Sequence, residues 1–253
     1  MKSILFFISI FILAVPGIVS SQNYAVGDGV LVAATSGLRL RVQPDLQSPT
    51  IKVLKYNDYL EVVQLTSSDK ELSGRIQWQD GQWIRVKSGH VSGWVFDGFV
   101  TTLPLPDEET QLCIDCNSLT QPLNEYISAH FGVECAEEVA DTVEDLMSST
   151  YLHDGGIQVS TTSSDGWYRT EIIFENNRLS EVINLLRSFV VGSEARSDFD
   201  RSLTFHEDRD GLVNKVEVRL FRDDLNVVRT PDGYIEITAM VLTNQYDYQV
   251  MNE

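Results

Sequence analysis

After residue 22 the chain sets short apolar runs between turn residues. The runs 29–34, 38–42, 51–54, 59–65, 82–87 and 92–95 have the length and spacing of strands, and together they predict a small all-β barrel of five or six strands. In so small a barrel alternate positions must fill the interior, which assigns Leu38, Leu40, Val53, Val62, Ile84 and Val86 to the core. Gly93 marks a close backbone approach or a positive φ before the last strand. Beyond residue 119 the pattern changes. Thr120 and Pro122 open a helix running to about Phe131. Ala136, Val139, Val143, Leu146 and Met147 recur at three- and four-residue steps, which predicts a second helix from near Cys135. The runs 157–161 and 167–174 flank a Ser163-Ser164-Asp165-Gly166 turn and read as a hairpin. Ser180 then caps a helix with Val182, Leu185, Leu186 and Phe189 on its buried stripe. Strands over 202–206, 212–221 and 234–243, with turns at Asp210-Gly211 and Asp232-Gly233, complete an α+β domain. Its mostly antiparallel sheet should carry helices on one face.

Charge divides the chain at the same place. The 253 residues are 43% hydrophobic and carry a formal net charge of −18, a globular composition. Residues 22–103 hold eight acids and eight bases, whereas 104–253 hold twenty-nine acids and ten bases. The second part is therefore a poor ligand for nucleic acid or for an anionic lipid surface. The stretch Leu103-Pro104-Leu105-Pro106 with the acids after it reads as an exposed linker. The organisation expected is 1–21 signal peptide, 22–103 barrel, 104–118 linker and 119–253 acidic domain.

The N-terminus predicts export. Lys2 precedes an apolar run over 4–15, Pro16 and Gly17 break it, and Ser20 and Ser21 offer a cleavage site, the anatomy of a secretory signal. The apolar run is shorter than the ~20 residues that span a bilayer, so no membrane span is expected after cleavage. Export permits a disulfide, but Cys113, Cys116 and Cys135 are odd in number and their pairing stays open.

The first part resembles the bacterial SH3-like (SH3b) domain over about residues 23–103. The opening strand and turn are similar to Gly37-Leu38-Arg39-Leu40-Arg41 with Pro44. The next two strands match Lys52-Val53-Leu54 and Tyr59-Leu60-Glu61-Val62-Val63. The later landmarks are Trp83-Ile84-Arg85-Val86, then Gly93-Trp94-Val95 with Phe99-Val100. Val42-Gln43 departs from the small pair usual after the arginine, and the 66–81 loop is long. The resemblance implies binding of a cell-envelope ligand, a peptidoglycan peptide or a protein strand.

Tyr56, Trp78, Trp83 and Trp94 are the candidate ligand-binding residues, since a small barrel cannot bury so much aromatic mass. Trp78, in the long polar loop, is the expected exposed contact, while Trp83 and Trp94 could equally cap the barrel. Two further motifs point elsewhere. Asp115-Cys116-Asn117-Ser118 is similar to the nucleophile motif of cell-wall cysteine peptidases, but the Gly89-His90-Val91 lookalike lies upstream and no downstream histidine has the right context. The series His206, Asp208, Asp210, Glu217 follows a calcium-loop spacing, although the alternation over 215–221 is that of a strand. The expectation is an exported, non-enzymatic binding or adaptor protein with no cofactor. The alternatives are a cysteine peptidase or amidase using Cys116, or an inhibitor whose acidic domain clamps a basic partner. Oligomeric state is not legible.

Overall fold

The computed structural model describes residues 24–65, 73–106, 119–141, 146–190, 192–219 and 224–242. The expected signal segment, most of the linker, Cys113 and Cys116 lie outside them. Two antiparallel eight-stranded sheets and three helices make a mostly β architecture.

The first sheet contains β1 (Gly29–Val32), β2 (Leu38–Arg41), β3 (Thr50–Leu54), β4 (Tyr59–Leu65), β5 (Ser73–Ile76), β6 (Gln79–Ser88), β7 (Val91–Phe96) and β8 (Val100–Thr101). Its order runs β3-β2-β7-β6-β4-β1-β8, and β5 pairs with β6 beside this path. Leu38, Leu40, Val62, Ile84 and Val86 are buried as expected, but Val53 is 57% exposed and Leu54 takes the interior. The reason is register. Leu54 pairs with the buried Leu38 and Val53 with the exposed Arg39, so Leu54 faces the interior and Val53 the solvent. Gly93 serves the close approach, since a Cβ there would stand 2.7 Å from the Arg41 carbonyl oxygen.

The second sheet runs β13-β14-β15-β16-β12-β11-β10-β9. Its strands are β9 (Val133–Asp141), β10 (Leu146–His153), β11 (Ile157–Ser164), β12 (Trp167–Phe174), β13 (Leu203–Glu207), β14 (Val213–Arg219), β15 (Asp224–Arg229) and β16 (Ile235–Leu242). The helix expected from Cys135 is thus two strands. Of its spaced apolar residues, Ala136 and Val139 lie on β9 and Leu146 and Met147 on β10, while Val143 lies outside the described residues; the β-branched Val133, Val139 and Thr150 favour extended backbone. The helices are α1 (Thr120–His130), α2 (Leu179–Ser188) and α3 (Ser193–Ser202). They cover one face, where Leu123, Ile127, Val182, Leu186 and Phe199 share a core with Ile172, Phe174, Val216, Val227 and Ile237. Alternation along each strand puts these residues on a single side.

Of the segment between the sheets, the described residues 103–106 are packed against the protein. Leu103, Leu105 and Pro106 are buried, and Leu103 belongs to the second core. The Tyr56 hydroxyl donates to the Pro106 carbonyl at 3.0 Å, and the Tyr126 hydroxyl donates to that of Pro104 at 2.6 Å. Burial pushes the Tyr126 phenol well above its ordinary range.

The N-terminus of α2 joins the sheets. Arg178, its N-cap residue, reaches Asp97 in the turn between β7 and β8 of the first sheet, with Nη1–Oδ2 at 2.6 Å, and donates to the Asp97 carbonyl at 2.7 Å. Its guanidinium lies 4.6 Å from the Tyr24 ring centroid. Glu181 is fully buried; its Oε2 accepts the Arg178 backbone N–H at 3.0 Å, which closes the first turn of the helix. Its Oε1 accepts from the Thr102 N–H at 2.8 Å and the Tyr24 hydroxyl at 3.3 Å. Burial raises Asp97 above the usual carboxylate range despite the opposing pull of Arg178 and of the Gln82 N–H. Burial and then Glu181 push the Tyr24 phenol well up.

Removing the cation leaves two buried carboxylates uncompensated. Arg178→Ala should therefore cost about 3–5 kcal/mol in urea unfolding, and a loss below ~1 kcal/mol would contradict the arrangement. The pH dependence has a definite sign. A carboxyl raised in the folded state holds its proton more tightly there than in the unfolded chain, so it adds stability as pH falls through its folded pKa toward ~3.9. Wild type should gain on Asp97→Asn over that window, measured as the difference between their unfolding free energies; a difference flat in pH would overturn it.

Candidate functional site

Within the long 66–81 segment, residues 73–81 do not form a free loop. Its described part is the hairpin of β5 and β6, and this hairpin docks on the second sheet. Arg75 of β5 pairs with Asp80 at 2.8 Å, pairs with Glu207 of β13, and donates to the Gly211 carbonyl at 2.7 Å. The Asp80 hydrogen bond foremost, then that to Glu207, holds the Arg75 guanidinium above its ordinary value. Asp80 Oδ2 also accepts the Val213 N–H at 2.8 Å. At the hairpin tip Trp78 stacks on Phe205 of β13, with ring centroids 5.3 Å apart and planes at 15°. Gln77, at φ 59°, makes the tight turn before it.

This docking leaves a cleft of about 380 Å³ between the sheets. The turn between β1 and β2 contributes Thr35 and Gly37, the hairpin tip Gln77, Trp78 and Gln79, α2 Asn184 and Arg187, and α3 Asp200. Arg187 organises one wall. Its Nε and Nη2 engage both Asp200 oxygens at 2.7 and 2.9 Å, the bidentate fork of a guanidinium and a carboxylate, and Nη1 donates to the Thr35 hydroxyl. On the inner side Gln79 Nε2 donates to Asn184 Oδ1 at 2.9 Å, and Asn184 Nδ2 donates to the Gly98 carbonyl at 2.8 Å. Gln79 Oε1 is buried and has no hydrogen-bond partner among the described residues. The lining thus sets one aromatic surface beside planar amide and ion-pair groups.

The four aromatic candidates separate. Trp78 lines the cleft but is half-buried against Phe205, not the solvent-exposed contact expected of a polar loop. Trp83 is buried, with its ring edge-to-face on Phe96 at 5.9 Å. Trp94 is half-buried on β7, paired in register with Arg41 and Arg85. Tyr56 is half-buried and bonded to the inter-sheet segment.

The calcium-loop series forms a hairpin turn between β13 and β14. Asp208 Oδ1 accepts the N–H groups of Asp210 and Leu212 at 2.9 and 3.0 Å, so it closes the turn on itself. Glu217 lies on β14 against His206 at 3.2 Å, Lys215 at 2.9 Å and Arg219 at 2.8 Å. The hydrogen bond from Lys215 foremost holds its carboxyl below the ordinary value. Lys215 and Arg219 thus pair with the last acid of the series, and a strand follows where the motif needs a helix. Cys116 lies outside the described residues. His130 and His153 each bond a backbone carbonyl, at 3.0 and 3.2 Å, and His90 is exposed.

The sequence did not mark Asn184, Arg187 or Asp200. Helix α3 holds Ala195 and Phe199 as its apolar residues, too few for a periodic signal. Asn184 reads from sequence as the polar side of α2, although it is buried.

Phe205→Ala removes the stacking partner of Trp78. A loss of about 2 kcal/mol in urea unfolding is expected from a half-buried aromatic pair, together with a shift of tryptophan emission to longer wavelength. Unchanged emission would show that Trp78 keeps its environment without Phe205.

No curated protein and no solved structure matches the chain. The landmarks from Gly37 to Val100 do have a counterpart: residues 36–101 match the family model of the bacterial SH3 domain, and the rest of the chain matches no family.

Proposed function

We propose that the protein is an exported, non-enzymatic binding protein whose SH3 domain engages a cell-envelope ligand, with the cleft at Trp78 as the contact. A bacterial SH3 domain points to a cell-wall or peptidoglycan-associated binding role. The observation that carries the further step is the cleft itself, in which two turns of that domain meet α2 and α3 around an aromatic ring. Sites of this kind favour domain junctions. Gln77, Gln79 and Asn184 supply both donors and acceptors to a peptide or an acetylated sugar. Export is supported by the signal-like N-terminus, and no helix among the described residues is long and apolar enough to cross a membrane.

The intact protein should co-sediment with purified peptidoglycan at moderate salt and release no soluble fragments from it. Trp78→Ala should weaken retention about tenfold, as expected for an aromatic anchor. Failure of the intact chain to sediment removes the envelope ligand from this reading. Full retention by Trp78→Ala removes the cleft, and release of fragments restores the hydrolase alternative with Cys116.

A further inference from the structure

The second sheet ends on β9, which pairs with β10 on one side and with no strand among the described residues on the other. An edge of nine residues offers backbone N–H and C=O groups in the spacing of a strand. Natural edges are commonly blunted by charged side chains, lysine above all, or by proline, shortness or a bulge that twists them away, and the charge on this edge is of one sign. Here a register shift between Leu152 and His153 leaves Glu134, between Val133 and Cys135 at the start of β9, without a partner position, and the pairing from Cys135 to Asp141 is regular. Residues 133–138 are all exposed. Three of them are Glu134, Glu137 and Glu138, the strand contains no base, and none of the three glutamates forms an ion pair among the described residues.

This chemistry selects the occupant. Edge-to-edge pairing with a second copy would bring acids against acids, and like charges directly opposite are destabilising in a sheet. A strand bearing lysine or arginine meets the opposite condition, and the twenty-nine acids against ten bases of residues 104–253 would steer it in from a distance. We propose that the β9 edge receives an extended basic segment of a partner protein by strand addition, with main-chain hydrogen bonds supplying affinity and the glutamates supplying sign selection. The proposal does not depend on the envelope ligand or on the cleft.

The test titrates the intact protein into a labelled peptide of roughly ten residues alternating lysine and valine, followed by fluorescence anisotropy. Saturable binding that weakens with salt is expected, and the same peptide with glutamate for lysine should not bind. Methylation of alternate backbone nitrogens keeps every charge but removes the ladder donors, so it should weaken binding about tenfold. Glu137→Gln with Glu138→Gln, which keeps side-chain shape, should weaken it by about tenfold as well, with an unchanged circular dichroism spectrum. Equal binding of the methylated peptide would reduce the effect to diffuse charge and overturn the proposal. So would wild-type affinity in the glutamine pair, no binding of the basic peptide, or a dimer of the chain alone that the glutamine pair alters.

Discussion

Everything that relates the two sheets turns on a buried guanidinium. Arg178 begins α2 and ends in the first sheet, where it meets the side chain and the carbonyl of Asp97. Neither Asp97 nor Glu181 could be buried without it, because an uncompensated charge in a low-dielectric interior costs several kcal/mol. The arrangement works through geometry. Nη1 and Nη2 are both used, whereas Nε stands 3.7 Å from Glu181 Oε2, beyond hydrogen-bond length. Glu181 is completed instead by the Thr102 N–H and the Tyr24 hydroxyl. The same three residues therefore cap a helix, seat the end of the first sheet and fix the direction of the chain as it passes between sheets.

With that junction fixed, the rest of the interface follows as a second line of contacts on the same helix. Asn184 and Arg187 lie one and two turns beyond Glu181 on α2, and they reach Gly98, Gln79, Thr35 and Asp200. The β5–β6 hairpin closes from the other side through Arg75 and Trp78. The cleft is the space these polar and aromatic contacts do not fill. Its walls come from elements far apart in sequence, and they are held by ion pairs and amide pairs rather than by a continuous apolar seam.

Local signals were legible in the sequence where one face of an element meets one core. The alternation of 59–65 gave β4 to the residue, and the stripe of Val182, Leu185 and Leu186 gave α2. They failed where tertiary pairing decides. Val53 and Leu54 are equally apolar, and only the bulged pairing with β2 chooses between them. Ala136 and Val139 on β9 and Leu146 and Met147 on β10 belong to two paired strands, and their spacing along the chain imitates a helical period. Trp78 in a polar loop looks solvent-facing until its hairpin is seen to dock. Glu181 and Asn184 look like the outer side of an amphipathic helix, because nothing local announces a second sheet against that side. The partners of a buried polar group are a fact of topology.

The polar character of the α2 junction has an evolutionary side. A small binding domain attached by a flexible tether can be moved between host proteins as a cassette, since its surface owes nothing to its neighbour. The domain here lacks that freedom. Transplanted alone, it would expose Asp97 without its guanidinium, and the part left behind would hold Glu181 without the Thr102 N–H and the Tyr24 hydroxyl and Asn184 without Gln79 and the Gly98 carbonyl. Shuffling would have to carry both halves of the chain as one unit of inheritance.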